Sequence, residues 1–118
     1  MPSYLCGAIL QAVEGSEPRF YEVDYDLSIR SLEWLDRVRE GDLVFVIDYF
    51  GIPADNGVIA QAKERKAWVV EDAAQALLSQ GVGQCSDFLL YSPRKFLGVP
   101  DGGILCIRNG RRLGVPRI

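Results

Sequence analysis

Lys95 and Asp72 are the residues of this chain best suited to chemistry. Each stands at or just beyond the end of a short apolar run: Phe88-Leu89-Leu90-Tyr91 before Lys95, and Trp68-Val69-Val70-Glu71 before Asp72. A lysine amine and a carboxylate at strand ends are the residue types that could carry nucleophilic or acid–base chemistry, and on spacing alone they are a weak signal. The same pair could equally be a salt bridge or two solvated loop ends, since surface ion pairs are commonplace. Other chemistries are closed. The chain has no histidine, and its 3 cysteines (Cys6, Cys85 and Cys106) are widely spaced with no Cys-x-x-Cys pair. That removes the usual zinc clusters and every mechanism needing an imidazole base. Free thiols in a reducing cytosol are the expected state.

The elements that must position these residues can be read from apolar patterning. Residues 4–13 suit a helix ended by Gly15, and residues 19–23 read as a strand. Ile29, Leu32, Leu35 and Val38 form a stripe repeating every three residues, read as a helix with Ser28 as its cap and Gly41 as its stop. The unbroken run 43–47 predicts a buried parallel strand. Asp55 is positioned to cap a helix over 56–66 with Val58, Ile59 and Ala62 inward, and further strands are expected at 67–70, 88–91 and 104–107. Alternating strands and helices imply an α/β fold, a mostly parallel sheet with flanking helices. In such sheets ligands bind beyond the carboxyl ends of the strands. The loops starting at Asp48, Asp72 and Tyr91 should therefore converge on one rim.

The local words are more specific than the spacing. Val70-Glu71-Asp72-Ala73-Ala74-Gln75-Ala76, then Ser92-Pro93-Arg94-Lys95, then Asp101-Gly102-Gly103 resemble, in order, the signature of the DegT/DnrJ/StrS aminotransferases. These are pyridoxal-phosphate (PLP) enzymes of the aspartate-aminotransferase fold (fold type I) acting mainly on nucleotide-linked keto-sugars. Pro2-Ser3-Tyr4, residues 20–24, Tyr49-Phe50-Gly51 and Pro53-Ala54-Asp55 extend the resemblance over nearly all of residues 1–107.

The resemblance implies roles. Lys95 would hold PLP as an imine and later shuttle the proton. Asp72 would keep the pyridine nitrogen protonated, Gln75 would sit near the ring hydroxyl, and Ala74 would let the ring approach. Ser92 is the expected phosphate contact, although the family's usual serine stands two residues farther from the lysine, where this chain has Leu90. Three residues before the lysine is instead the spacing of other aminotransferases of the same fold. The dehydratase branch replaces the lysine with histidine, so Lys95 favours an aminotransferase. Also implied are a nucleotide-sugar substrate, an amino-acid donor and a homodimer.

By the same resemblance residues 1–107 are an internal fragment, part of the large PLP-binding domain. The phosphate-binding turn is expected before Met1 and a C-terminal domain after Ile107, so the chain alone is expected to have little or no activity. Residues 108–118, with Arg108, Arg111, Arg112 and Arg117, read as a basic tail. A non-catalytic α/β binding or assembly module derived from that fold is the alternative, although such a scaffold has no need of Asp72, Gln75 and Lys95 together. Bulk properties agree with a single domain of 118 residues. With 13 Lys and Arg against 16 Asp and Glu, net −3, no nucleic-acid surface is expected. No secretory signal or membrane-spanning run is evident, and a cytoplasmic location is expected.

Overall fold

The computed structural model describes residues 1–108. Its frame is a four-stranded sheet in the order β1 (Leu43–Ile47), β2 (Trp68–Asp72), β3 (Phe88–Tyr91) and β4 (Ile104–Ile107). The first three strands run parallel, and β4 pairs antiparallel with β3. The expected α/β class with a mostly parallel sheet is what forms.

β1 is apolar throughout and its middle, Val44 to Val46, is buried on both faces. Val44 and Val46 join Leu35, Ile59, Ala62, Ala67 and Val69 in the main core. Phe45 is buried as well, and the buried Tyr21 donates its hydroxyl to the Phe45 carbonyl at 2.9 Å and stacks, with centroids 4.4 Å apart, on Trp34, which itself packs against that core. Burial pushes the Tyr21 hydroxyl well above the usual phenol range, with a further rise from Tyr49.

Helix α2 (Asn56–Glu64) packs on β2 through the buried Val58, Ile59 and Ala62. Asp55 caps it, Oδ1 accepting from the Gly57 N–H at 2.7 Å. Asp55→Ala should therefore lower stability by about 1 kcal/mol, read as a shift in urea midpoint at constant slope, and Asp55→Ser should recover most of it.

Three expectations are corrected. Residues 19–23 form no strand: they make two isolated bridges, Pro2 with Tyr21 and Val23 with Ile29. Tyr21 alone among them is buried, so no continuous apolar face exists to hold a ladder. The stripe from Ile29 is not an α-helix but a 3₁₀ helix limited to Glu33–Arg37. A repeat of three matches the 3.0 residues per turn of a 3₁₀ helix rather than 3.6, and such helices stay short. Ile29 is held extended by its bridge, and Ser28 caps nothing, bonding instead to Asp26 Oδ1. The first helix, α1 (Gly7–Ala12), is shorter than expected and buries no residue.

Residues 73–87, between β2 and β3, contain no helix, so the sheet is flanked more sparsely than the alternation of elements implied. Among the described residues no helix is long and apolar enough to cross a membrane. The three cysteines are free thiols. Of the expected basic tail, Arg108 continues the ladder, its N–H donating to the Asp87 carbonyl at 2.9 Å, and Arg111, Arg112 and Arg117 lie outside the described residues.

Candidate active site

The three loops at the carboxyl ends of β1, β2 and β3 do meet. They enclose a cavity of about 240 Å³ lined by Ile47, Tyr49 and Phe50 from the first, Asp72, Ala74 and Gln75 from the second, and Lys95 from the third. Tyr4, Leu5, Cys6 and Ile9 close its remaining side. Two larger cavities, of about 360 and 400 Å³, contain none of the residues singled out for chemistry.

Asp72 ends β2 opposite Ile47 of β1, on the sheet face away from α2. Its Oδ1 accepts from the Ala74 N–H at 2.9 Å, and among the described residues no protein donor meets Oδ2. One oxygen thus orients the carboxylate while the other stays available. Lys95 ends a short 3₁₀ turn, Pro93–Lys95, and its amine makes no hydrogen bond or ion pair among the described residues. Pro93 at the start of that turn suits the fixed proline φ.

Gln75 is oriented by the chain itself. Its Oε1 accepts from the Phe50 N–H at 3.0 Å, which leaves the Nε2 amide as the free donor end. Phe50 holds that position in the left-handed region, φ 52°, at a cost of order 1–3 kcal/mol for a non-glycine residue. Gly51 follows at φ 86°, and a Cβ there would lie 3.0 Å from Ser79 Oγ and 3.3 Å from the Gln75 carbonyl, so only glycine lets the loops close. Tyr49 is buried and donates its hydroxyl to the Tyr4 carbonyl, tying the N-terminal segment over the cavity. Burial pushes the Tyr49 hydroxyl up to about 12, with Tyr4 and then Asp72 contributing.

Lys95, Asp72, Ala74 and Gln75, all singled out from the sequence, are thus brought to one cavity. Ser92 is not among its lining residues, although its carbonyl accepts from the Lys95 N–H at 3.1 Å and so shapes the turn. Sequence reasoning missed Cys6 and Ile9 as lining residues, because a six-residue helix with no buried position carries no periodic signal.

Compared with known proteins, the chain is similar to the UDP-N-acetyl-3-dehydro-alpha-D-glucosamine 3-aminotransferase of Acidithiobacillus ferrooxidans, with 33% identity over 118 aligned positions. The alignment takes in 89% of this chain and 32% of that protein, so the chain spans about a third of the length of the curated relative it matches. The similarity is therefore to part of a nucleotide-sugar aminotransferase. No protein-family model matches the chain, and no solved structure matches it at a significant level.

Proposed function

We propose that this chain is a segment of a PLP-dependent aminotransferase of the DegT/DnrJ/StrS type, fold type I, acting on a nucleotide-linked keto-sugar with an amino acid as donor. What supports this reading is that Lys95, Asp72, Ala74 and Gln75 line one cavity in a chain similar to part of a nucleotide-sugar aminotransferase. The donor set fits the cofactor: an unpaired amine, a carboxylate with one oxygen unengaged, an amide whose N–H end is free, and a small residue between them.

Bound there, PLP would supply a ring that accepts the electrons released at the substrate carbon. The chain's residues do the rest. Lys95 Nζ would hold the cofactor and, when free, would move the proton. Asp72 would hold a proton at the ring nitrogen, and Gln75 Nε2 would be the donor toward the ring hydroxyl. Ser92 is the candidate phosphate contact by spacing, but it stands off the cavity lining, and the lining residues supply no other obvious anchor for a dianion. Weak cofactor binding and little keto-sugar turnover are accordingly expected of the 118-residue chain alone. A homodimer in the cytoplasm completes the proposal.

The test is direct. The purified chain is incubated with PLP, reduced with borohydride, and the added mass mapped by peptide sequencing. Selective labelling of Lys95 is expected. Labelling spread over Lys63, Lys66 and Lys95 would sink the proposed role.

A further inference from the structure

On the α2 side of the sheet lie two carboxyl groups that the proposed chemistry leaves unused. Asp48 is 0% exposed and Glu71 is 1% exposed. Glu71 is the in-register partner of Val46, and Asp48 lies two residues beyond Val46, so strand alternation turns both carboxyls to one face. Each has one oxygen satisfied by backbone: Asp48 Oδ1 accepts from the Ala54 N–H at 2.7 Å, and Glu71 Oε1 from the Gly83 N–H at 2.8 Å. The other two oxygens, Asp48 Oδ2 and Glu71 Oε2, are buried and have no donor among the described residues.

No ion pair among the described residues involves either carboxyl. The ion pairs among the described residues join Arg30 to Glu22 and Asp24, Lys63 to Asp87, Arg65 to Asp36 and Lys66 to Glu40. α2 presents Val58, Ile59 and Ala62 to the sheet. The nearby polar groups are Asp72 on β2, Tyr91 on β3, and Arg108, whose guanidinium donates to the Gly83 carbonyl. Two adjacent buried carboxylates without a cation cannot both ionise at low cost, whereas one proton between the orphaned oxygens satisfies both.

We propose that Asp48 and Glu71 share a single proton between Oδ2 and Oε2, and that the protonated pair positions the outer wall of the cavity. Asp48 closes the loop that carries Tyr49 and Phe50 by holding Ala54, and its own N–H donates to the Asp72 carbonyl at 3.0 Å. Glu71 fixes the opposite loop at Gly83. Phe50 in turn orients Gln75. The link from this wall to the cofactor rests on the proposed function, but the shared proton does not. Burial pushes the Asp48 carboxyl up, against the Ala54 hydrogen bond, and Glu71 and then Asp72 add to the rise, to about 7.

The sign follows. An aspartate loses its proton near pH 3.9 in an unfolded chain. Between roughly pH 4 and 7 the folded chain therefore holds a proton that the unfolded chain has released. The stabilisation is fully present below the unfolded value and is lost as pH rises through the folded one.

Urea unfolding of the 118-residue chain should be compared for wild type, Asp48→Asn, Glu71→Gln and Asp48→Ala from pH 4.5 to 8. Asparagine brings its own N–H donor and needs no shared proton. The ratio of unfolding constants, wild type to Asp48→Asn, is expected to rise about tenfold per pH unit between roughly pH 5 and 7. Glu71→Gln should behave like Asp48→Asn, and Asp48→Ala should be weaker than Asp48→Asn at every pH. Above pH 7, amide exchange at Phe50, Ala54 and Gly83 should lose protection in wild type and keep it in Asp48→Asn. Should a variant fail to fold, carboxyl ¹³C shifts of the wild-type chain decide, with Asp48 expected to titrate near pH 7. A pH-independent ratio, or Asp48 titrating below about pH 5, would overturn the proposal. Borohydride labelling of Lys95 reports the cofactor role separately, so its failure with the pH slope intact would count against that role alone.

Discussion

An Asp87→Ala chain is expected to be less stable by about 2–4 kcal/mol, as a fall in urea midpoint at constant slope. Asp87 is only 8% exposed and knots four elements together. Its Oδ1 meets Lys63 Nζ of α2 at 2.6 Å, and its Oδ2 accepts from the Val69 N–H of β2 at 3.0 Å. Its own N–H donates to the Val69 carbonyl at 3.0 Å at the entrance to β3, and its carbonyl accepts from Arg108 just beyond β4 at 2.9 Å. Alanine leaves the backbone bonds and removes both side-chain ones. Lys63, 32% exposed at its side chain, can turn to water, which holds the loss below that of a fully buried pair. The Val69 N–H cannot, since Val69 is 0% exposed, and an unmet buried donor costs about 1–3 kcal/mol by itself. Asp87→Asn keeps an acceptor for Val69 and should recover roughly half of the loss. Equal loss for both variants would place the whole effect on the ion pair.

Asp72→Ala is expected to weaken PLP binding by about 10- to 150-fold, the equivalent of the roughly 1.5–3 kcal/mol of a hydrogen bond to a charged group. The measurement is an absorbance titration with PLP, with borohydride labelling of Lys95 as the second readout. The control is Asp72→Asn. It retains an oxygen for the Ala74 N–H, the one hydrogen bond the Asp72 side chain makes among the described residues, but carries no charge to hold a proton on a ring nitrogen. If Asp72→Asn bound PLP like wild type, the carboxylate would serve only to orient its own loop, and its assigned role would fall. Stability should change little, because Asp72 is half-buried at a strand end and its bond is local.

Where the sequence was informative, one physical signal dominated each stretch. The run Leu43–Ile47 has no polar position to turn toward water, so it had to be a strand covered on both faces. Asp55 followed by Val58, Ile59 and Ala62 combines a cap with a helical face, and α2 forms there. The candidate site was legible for a different reason: in a parallel sheet the residues following the strands share a rim, so Asp72 and Lys95 had to approach one another once the strands were recognised. The failures are equally physical. The three-residue stripe from Ile29 suits a 3₁₀ turn as well as an α-helix, and the choice fell to tertiary contacts of Leu35 and the Val23–Ile29 bridge. Asp48 and Glu71 carried no signal, because a carboxylate at the end of a strand reads as a solvated residue until its burial is known.

The antiparallel course of β4 fixes where this protein can change its length. Tyr91 pairs with Ile104, so the intervening segment, residues 92–103, leaves and rejoins the sheet at the same rim, and residues 94–103 are exposed. Doubling a loop adds only about 0.6 kcal/mol of closure entropy, so insertions there leave the strand register untouched while remodelling the approach to Lys95. The segment between β2 and β3 has no such latitude, because Gly83 is held by Glu71 and by Arg108 and Ala73 donates to the Leu90 carbonyl at 2.8 Å. Divergence among descendants of this chain should accumulate in the first loop and spare the second, so that the mouth above Lys95 changes over an unaltered floor.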